Sequence, residues 1–250
     1  MEFVKVEGLG NDFILIPNGI DPAAEDVVRW CERRTGVGAD GVLTAAPLSS
    51  GLVRMRYWNA DGGEAEMCGN GLRCVARYAV EVGWVDGPDL VIESAAGEHP
   101  VSVAADAVRA FVGVPHRFRT DTLAVAGRDV HPVGIGNPHA VVFTEDVAAA
   151  AVAEIGPEIE NDPLFPNRTN VEFVEVVADH TIRVRVWERG VGETRASGTG
   201  ATAAAFVAHD RGRVEAPVVV ELAGGSLEVQ LEDEGAWMIG PATLVYRGEL

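Results

Sequence analysis

Residues 67–71 read Met-Cys-Gly-Asn-Gly, residues 196–200 read Ala-Ser-Gly-Thr-Gly, and each stretch runs into a segment of helical character. In both, a small nucleophilic side chain, Cys68 or Ser197, precedes a Gly-x-Gly sequence. Gly-x-Gly lets the backbone approach a ligand closely, and a helix that begins there presents unpaired amides and a partial positive charge. Two such helix entrances in one chain predict two reactive groups that face one substrate from opposite sides.

The elements around the two helix entrances follow one another in the same order, so the sequence contains an internal repeat of about half its length. This pattern predicts an α+β fold of two pseudo-symmetric halves. Each half would be a mostly antiparallel sheet wrapped around a central apolar helix, with the active site in the cleft between the halves. We expect the halves to span residues 1–117 and 118–240, with residues from about 241 to 250 returning to the first half and residues 115–122 connecting the two.

Hydrophobic periodicity and turn residues define the predicted elements. Four helices are predicted over residues 22–34, 71–81, 145–155 and 201–210. Strands are predicted over residues 3–7, 13–16, 52–58, 90–93, 101–103, 108–112, 140–143, 170–177, 181–187, 218–222, 226–231 and 237–240. The helix after Gly200 has almost no polar face, which indicates that it is buried.

The overall charge excludes several classes of partner. A net charge of −18 over 250 residues argues against binding to nucleic acid or to an anionic membrane, since both need a basic surface. No apolar run approaches the ~20 residues of a membrane span, and no signal peptide is visible, so we expect a cytoplasmic protein. Arginine supplies nearly all the positive charge, which fits either a halophilic source or a GC-rich genome.

Lysine and cysteine usage bears on cofactors. Lys5 is the only lysine and lies in a predicted strand, an awkward place for the Schiff base that pyridoxal phosphate requires. Cys31, Cys68 and Cys74 are expected to be reduced thiols. Because no cluster of cysteine and histidine has the spacing of a zinc site, we expect neither a cofactor nor a metal.

Cys68 is placed to react, because a thiol at a helix N-terminus gains thiolate character. The alternative is that Cys68 is a small buried residue at a tight helix start, which isolated cysteines usually are. The second helix entrance favours the functional interpretation.

Other polar residues lie near the two entrances: Asn11, Asn59, Asn70, Asn137, His139, Asn170, Glu188 and Arg189. Asn59 and Asn137 are alternatively turn residues, and Glu188 and Arg189 a solvated pair. As a set, these residues predict a pocket for a zwitterionic ligand.

Several motifs together resemble those of the diaminopimelate epimerase family. They are Gly-Leu-Gly-Asn-Asp-Phe at 8–13, Gly-Ala-Asp-Gly at 38–41, Asn-Ala-Asp-Gly at 59–62, Glu-Met-Cys-Gly-Asn-Gly-Leu-Arg-Cys at 66–74, Gly-Asn-Pro-His at 136–139, Phe-Pro-Asn-Arg-Thr-Asn-Val-Glu-Phe at 165–173 and Trp-Glu-Arg-Gly-Val-Gly-Glu-Thr at 187–194. They extend from near the start of the chain to about residue 205, in the family's order.

The resemblance implies a cofactor-independent epimerase of lysine biosynthesis that interconverts LL- and meso-diaminopimelate by two-base proton exchange at the α-carbon. It implies that Cys68 is the first catalytic cysteine and that the chain forms a homodimer. The residues matching those around the substrate carboxylate are Gly69, Asn70, Gly71, Gly198 and Thr199. Those matching the groups that hold the two ends of the substrate are Asn11, Asn59, Asn137, Asn170, Glu188 and Arg189, with His139 among them.

The sequence departs from the family at Ser197, where the second catalytic cysteine is expected. A hydroxyl is a far weaker acid than a thiol and does not ionise near neutral pH without a strong base. Three explanations compete: a deliberate Cys→Ser change in a true epimerase, a natural variant that pairs one thiol with one hydroxyl, or a protein that has kept ligand binding and lost catalysis. The second includes single-thiol racemases or dehydratases that act on other amino acids.

Overall fold

The computed structural model describes residues 1–17, 19–118 and 122–250. The chain divides into two compact units. Unit 1 contains Met1–Phe111 and Gly240–Leu250, and unit 2 contains Val112–Ile239. The predicted connection over residues 115–122 includes residues 119–121, which lie outside the described part of the chain.

The described chain contains nineteen strands and four helices, with two or more strands before and after each helix. The first ten elements are β1 (Glu2–Gly8), β2 (Asn11–Ile16), α1 (Ala24–Cys31), β3 (Gly41–Ser49), β4 (Leu52–Asn59), β5 (Glu64–Ala65), α2 (Gly69–Glu81), β6 (Asp89–Ser94), β7 (Gly97–Val103) and β8 (Val108–Gly113). There follow β9 (His116–Arg117), β10 (Leu123–Val125), β11 (Arg128–Gly134), β12 (Pro138–Phe143), α3 (Val152–Glu160), β13 (Asn170–Ala178), β14 (Thr181–Glu188), β15 (Gly192–Thr194), α4 (Gly198–Asp210), β16 (Val218–Leu222), β17 (Gly225–Glu232), β18 (Gly235–Gly240) and β19 (Thr243–Glu249).

Unit 1 is a mixed sheet around helix α2. The strands pair in the order β19, β1, β2, β3, β4, β6, β7, β8, and all these pairs are antiparallel except β2 with β3 and β4 with β6. Helix α2 contacts β1, β2, β3, β4, β6, β7 and β19. It is buried along most of its length, in keeping with a helix at the centre of the unit. The final strand pairs with the first, so the C-terminus belongs to unit 1.

Unit 2 repeats this arrangement around α4. Its strands pair in the order β11, β12, β13, β14, β16, β17, β18, and the parallel pairs are β12 with β13 and β14 with β16, the counterparts of β2 with β3 and β4 with β6. Helix α4 contacts β11, β12, β13, β14, β16 and β17. Its alanine-rich sequence is buried on nearly every side, as the missing polar face predicted. The α+β class and the internal repeat are confirmed.

The repeat keeps its register over a long stretch. Adding 129 to a residue number converts β3 into β13, β4 into β14 and Cys68 into Ser197. Both strand pairs also carry a register shift at the same place, between Pro47 and Ser49 and between Val176 and Ala178. Residues whose numbers differ by 129 therefore occupy equivalent places in the two units.

The helix predicted over residues 145–155 is wrong in its bounds, since residues 145–151 are not helical. The observed helix α3 begins only at Val152. The preceding residues form a turn because the Asp146 carboxylate accepts hydrogen bonds from the amides of Ala148 and Ala149. The guanidinium of Arg185, from β14, donates to three carbonyls of the same turn. These contacts come from side chains distant in sequence, and helical periodicity carries no sign of them.

Three long strands, β3, β11 and β19, were not predicted. The first five residues of β3 are all buried, so its sequence is a continuous apolar run without the alternation of a half-exposed strand. Strand β11 contains Pro132, which weakens a strand prediction. Within the described residues, no helix is long and apolar enough to span a membrane.

Candidate functional site

The first helix entrance is capped by Cys68. Its backbone is extended (φ −137°, ψ 113°), and its Sγ accepts a hydrogen bond from the amide of Gly71 at 3.4 Å. A Cβ on Gly71 would lie 2.9 Å from Leu43 Cδ2 and 3.6 Å from Cys68 Sγ, so a larger residue there would have to displace the Leu43 side chain. The first turn of α2 contains no acidic residue. The half-buried thiol therefore lies at a helix end whose partial positive charge no carboxylate in that turn offsets.

Asn70 is the polar centre of this entrance. Its Nδ2 donates to Asn11 Oδ1 at 3.0 Å, and its Oδ1 accepts from Arg73 Nη2 at 2.8 Å. Arg73 is fully buried, and its Nε donates to the carbonyl of Pro241 at 3.2 Å. Burial lowers the pKa of Arg73, because a low-dielectric site disfavours the charged guanidinium. Arg73 and Asn11 together fix the side-chain amide of Asn70 in one orientation.

Asn11 is held in turn by a charged cluster. Its Nδ2 donates to Asp40 Oδ2 at 2.9 Å, and Asp40 also accepts from Arg33 at 2.6 Å. Asp12 pairs with Lys5 at 2.6 Å and with Arg33 at 2.7 Å. Burial by itself raises the pKa of Asp12, but hydrogen bonds from Arg33 and Lys5 and the charge of Lys5 outweigh it and lower the pKa to about 2. The only lysine of the chain is thus buried in an ion pair that supports Asn11.

Asn59 does not join this network. It ends β4, and its backbone exchanges hydrogen bonds with Gly62 and Gly63 in a tight turn. Its half-buried side chain makes no hydrogen bond to Asn11 or Asn70 in the described residues. In unit 1 the structure therefore connects Asn11 and Asn70 directly, and Gly69 and Gly71 flank Asn70 in the first turn of α2. Asn59 lies opposite Gly41 on the neighbouring strand, one residue beyond the Asp40 that binds Asn11.

The second helix entrance reproduces the first. Ser197 caps α4 with nearly the same backbone angles (φ −136°, ψ 121°), and its Oγ accepts from the amide of Gly200 at 3.2 Å. The first turn of α4, which includes Gly198 and the partly exposed Thr199, also lacks acidic residues. A Cβ on Gly200 would lie 2.9 Å from Glu172 Oε1 and 3.0 Å from Ser197 Oγ. A carboxyl oxygen thus stands where Leu43 stands at the first entrance.

His139 and Glu172 form a fully buried pair on the neighbouring strands β12 and β13. His139 Nδ1 lies 2.7 Å from Glu172 Oε1, and its Nε2 lies 2.8 Å from Asn137 Oδ1. Burial raises the pKa of Glu172, and the opposing charge and hydrogen bond of His139, with those of nearby backbone amides, do not offset it. Glu172 Oε2 makes no hydrogen bond of ordinary geometry within the described residues.

Asn170, Glu188 and Arg189 lie near the N-terminal end of β13, where the strand begins at Asn170. Asn170 Nδ2 donates to the carbonyl of Pro138 at 2.9 Å, and its Oδ1 accepts from the amide of Arg189 at 2.9 Å. Glu188 accepts a short hydrogen bond from Thr194 Oγ1. The Arg189 side chain is exposed, and its Nη1 donates to the carbonyl of Asn167 at 3.2 Å.

Sequence reasoning did not single out three residues that support these groups. Arg73 orients Asn70, Glu172 binds His139, and Glu160 accepts hydrogen bonds from the Trp187 indole and the Gly190 amide on either side of Glu188 and Arg189. A signal existed for Glu172, which interrupts an apolar strand at an inward position, since buried carboxylates are rare. For Glu160 no sequence pattern distinguished it from its exposed neighbours.

The other two cysteines are buried away from the helix entrances. Burial raises the pKa of Cys31 to about 11, and it also raises that of Cys74. A thiol with a raised pKa is a poor nucleophile. Cys31 packs in the apolar cluster beneath α1, and Cys74 lies inside α2, one turn beyond Asn70. Cys68 is thus the only half-buried cysteine of the three.

Comparison with known proteins connects these residues to one family. A sequence model of diaminopimelate epimerase matches residues 3–117 and 132–245. The diaminopimelate epimerase of Moorella thermoacetica is 42% identical over 275 aligned residues, which cover 100% of this chain and 99% of that protein. That of Heliobacterium modesticaldum is 39% identical over 280 residues, with 100% and 99% covered.

Solved structures show the same fold at low identity. A hydroxyproline epimerase from Agrobacterium vitis superimposes with a TM-score of 0.76 at 17% identity, covering 100% of this chain and 90% of that chain. A phenazine biosynthesis protein of the PhzF family from Bacillus anthracis gives 0.72 at 16% identity, with 100% and 98% covered. These two share only the fold, whereas the relatives above share about two residues in five from end to end. On that full-length identity, the chain belongs to the diaminopimelate epimerase family.

Proposed function

We propose that the chain interconverts LL- and meso-diaminopimelate in lysine biosynthesis, without pyridoxal phosphate, and that Ser197 slows this reaction. The observation that carries the proposal is the pair of helix entrances with the same cap geometry, one with Cys68 and one with Ser197, in a chain about 40% identical to diaminopimelate epimerases. Epimerisation needs one group to remove the α-proton and another to return a proton to the opposite face.

The helix ends supply the charge stabilisation that the reaction needs. The first intrahelical hydrogen bonds are those of Leu72 to Cys68 and of Ala201 to Ser197, both at 2.9 Å. Of the amides that precede them, those of Gly71 and Gly200 donate to the cap side chains. The others have no partner within the helix and attract a carboxylate. Removing an α-proton drives negative charge onto that carboxylate, so amides fixed there stabilise the transition state. Gly69, Asn70, Gly71, Gly198 and Thr199 are the residues that would supply this contact.

The remaining polar residues would hold the charged ends of the substrate. Diaminopimelate carries two amino and two carboxylate groups, which call for donors and acceptors in equal measure. Asn11 and Asn70 in unit 1, and Asn170 with the Glu188–Arg189 turn in unit 2, are already oriented by hydrogen bonds. Groups fixed before the substrate arrives lose less entropy on binding. Asn59, Asn137 and His139 complete the proposed set.

Ser197 is the weak member of the pair. Cys68 can act as a thiolate near neutral pH, whereas an alcohol cannot hold a negative charge there without a base. We therefore propose that exchange on the Cys68 face outpaces exchange on the Ser197 face. The chain would then wash out the α-proton of one isomer faster than it converts that isomer into the other.

The test is proton exchange in heavy water. Each isomer is incubated with the protein, and mass spectrometry with chiral separation measures deuterium in recovered substrate and in product. We expect slow epimerisation that Ser197→Cys raises by several orders of magnitude, because it restores a thiol to the second helix entrance. Ser226→Cys, an exposed serine on β17 of the same unit, is the matched control and should change neither rate. Epimerisation at an ordinary enzymatic rate in the unmodified chain would refute the impairment.

The same assay separates the alternatives. A protein that has kept only binding would show affinity for diaminopimelate by calorimetry but no exchange, before or after Ser197→Cys. A racemase or dehydratase for another amino acid would bind diaminopimelate poorly and would exchange or dehydrate its own substrate.

We further propose that the chain works as a cytoplasmic homodimer. Light scattering behind size exclusion should give about twice the mass of 26.4 kDa. Cell fractionation of the source organism should recover the protein with cytoplasmic markers.

A further inference from the structure

The two helix entrances differ in one neighbour as well as in the cap residue. At the first entrance, Leu43 Cδ2 lies 2.9 Å from the position a Cβ on Gly71 would occupy. At the second, Glu172 Oε1 lies 2.9 Å from the matching position on Gly200. Leu43 and Glu172 occupy equivalent places in the repeat, on β3 and β13. The thiol entrance therefore faces an apolar side chain, and the hydroxyl entrance faces a carboxyl.

That carboxyl lies close to the serine. Glu172 Oε1 and Ser197 Oγ each lie about 3 Å from one point, the Cβ position of Gly200, so they are at most about 6 Å apart. One water molecule can bridge such a gap. The amide of Gly200 donates to Ser197 Oγ, which leaves the hydroxyl proton available to another acceptor. Glu172 Oε2, fully buried and without a well-aligned partner in the described residues, is a second acceptor of the same carboxyl.

The hydrogen bonds of His139 indicate that the pair holds a proton. The 2.8 Å contact to Asn137 Oδ1 favours the tautomer in which Nε2 carries the hydrogen and donates it. In a neutral imidazole Nδ1 is then an acceptor, and the short contact to Glu172 Oε1 requires a proton between the two atoms. That proton makes Glu172 a carboxylic acid or His139 an imidazolium. Burial of Glu172 favours holding it, because an unneutralised carboxylate in this site is costly.

We propose that Glu172, hydrogen-bonded to His139, stores the proton that Ser197 exchanges with the α-carbon; the inference rests on the proposed function and deepens it. When Cys68 has removed the α-proton, the electron pair on the α-carbon takes the Ser197 hydroxyl proton, so a C–H bond forms and an O–H bond breaks. The Glu172–His139 pair returns a proton to the serine oxygen and becomes a carboxylate beside a neutral imidazole. In the reverse direction the Glu172–His139 pair takes the hydroxyl proton of Ser197 while Ser197 Oγ takes the α-proton. Cys68 then donates its thiol proton to the α-carbon.

Glu172 acts through Ser197 and is a positioning and proton-storing residue. Its test must therefore separate proton storage from support of the fold. Glu172→Gln keeps the size of the side chain and can still donate to His139 Nδ1, but it cannot release that proton. Glu175→Gln, three residues along β13 and outside the helix entrance, is the matched control. Thermal melting first confirms that both variants are folded.

The readouts are α-proton washout through Cys68 and epimerisation through Ser197, measured together on LL- and meso-diaminopimelate in heavy water. We expect Glu172→Gln to reduce epimerisation at least ~100-fold, the lower end of a general acid–base contribution, and to leave washout within about twofold. Glu175→Gln should leave both rates unchanged. The inference is overturned if Glu172→Gln lowers washout and epimerisation by the same factor, or if it lowers neither rate. Washout without any epimerisation in the unmodified chain overturns it as well.

A double-mutant comparison completes the test. In a Ser197→Cys background the thiol carries its own exchangeable proton, so adding Glu172→Gln should cost less than about tenfold in epimerisation. An equal cost in both backgrounds would mean that Glu172 only supports the structure. If the unmodified chain shows no washout and Ser197→Cys shows no epimerisation, the proposed function itself fails, and that result is distinct from every outcome above.

Discussion

Replacing Asp12 with asparagine should destabilise the protein at neutral pH and hardly at all in acid. Asp12 follows the first residue of β2, pairs with the buried Lys5 at 2.6 Å and accepts from Arg33 at 2.7 Å. Asparagine keeps the size of the side chain and removes its charge. Lys5 is then left as a buried ammonium without its carboxylate, which adds to the cost.

The magnitude follows from the pKa of Asp12. Its lowering from the ordinary value of 3.8 to about 2 corresponds to about 2 kcal/mol of stabilisation at neutral pH. The side chain is only 19% exposed, so solvent screens the interaction less than it screens a surface pair. We expect Asp12→Asn to cost at least about 2 kcal/mol at pH 7.

The sign of the pH dependence is fixed by the same values. Because the folded pKa is depressed, the stabilisation is fully present above the unfolded pKa of 3.8 and is lost as the pH falls through the folded pKa of about 2. The difference in unfolding free energy between the unmodified chain and Asp12→Asn should therefore be constant from pH 7 to about pH 5 and shrink between about pH 4 and pH 2.

Urea unfolding followed by tryptophan fluorescence at a series of pH values measures this difference. Asp26→Asn is the control, since Asp26 pairs with Arg29 on an exposed helix face and should cost less than about 1 kcal/mol at any pH. A cost for Asp12→Asn as small as that of Asp26→Asn would refute the reasoning. A large cost that stays constant down to pH 3 would refute it too, because the charge of Asp12 would then not be its source.

Two further predictions concern the helix entrances. Gly200→Ala should lower the unfolding free energy by about 1–3 kcal/mol, since its Cβ would stand 2.9 Å from a carboxyl oxygen and 3.0 Å from the cap hydroxyl; an unchanged melting temperature would contradict the packing described here. Iodoacetamide should label Cys68 in the native protein, whereas Cys31 and Cys74 should be labelled only after unfolding, because both are buried with raised pKa values. Peptide mass mapping checks this, and equal labelling of all three would contradict it.

The fold could be predicted where local sequence determines it. Glycines, a capping side chain and an apolar run specify where α2 and α4 begin, and the repeated order of elements specifies their surroundings. The helix predicted at residues 145–155 failed because Arg185, from a strand distant in sequence, binds the carbonyls that a helix would use. Tertiary contacts of that kind have no signature in periodicity.

Sequence reasoning could name candidate residues for the site but could not give the hydrogen bonds that connect them. Spacing and resemblance pointed to Asn11 and Asn70, yet their direct hydrogen bond depends on β2 and α2 meeting in space. Glu172 was visible as a charge inside an apolar strand, but the role proposed for it depends on the positions of His139 and Gly200. Pairing of this kind arises from the folded sheet, which a single sequence does not specify.

The burial of Lys5 has a practical consequence for anyone handling the protein. The 250-residue sequence has no other lysine, and this one is 7% exposed and held in an ion pair with Asp12. Amine-reactive dyes should therefore label this lysine side chain only after the protein unfolds. For the same reason, lysine crosslinkers are unsuited to trapping an oligomer of this protein.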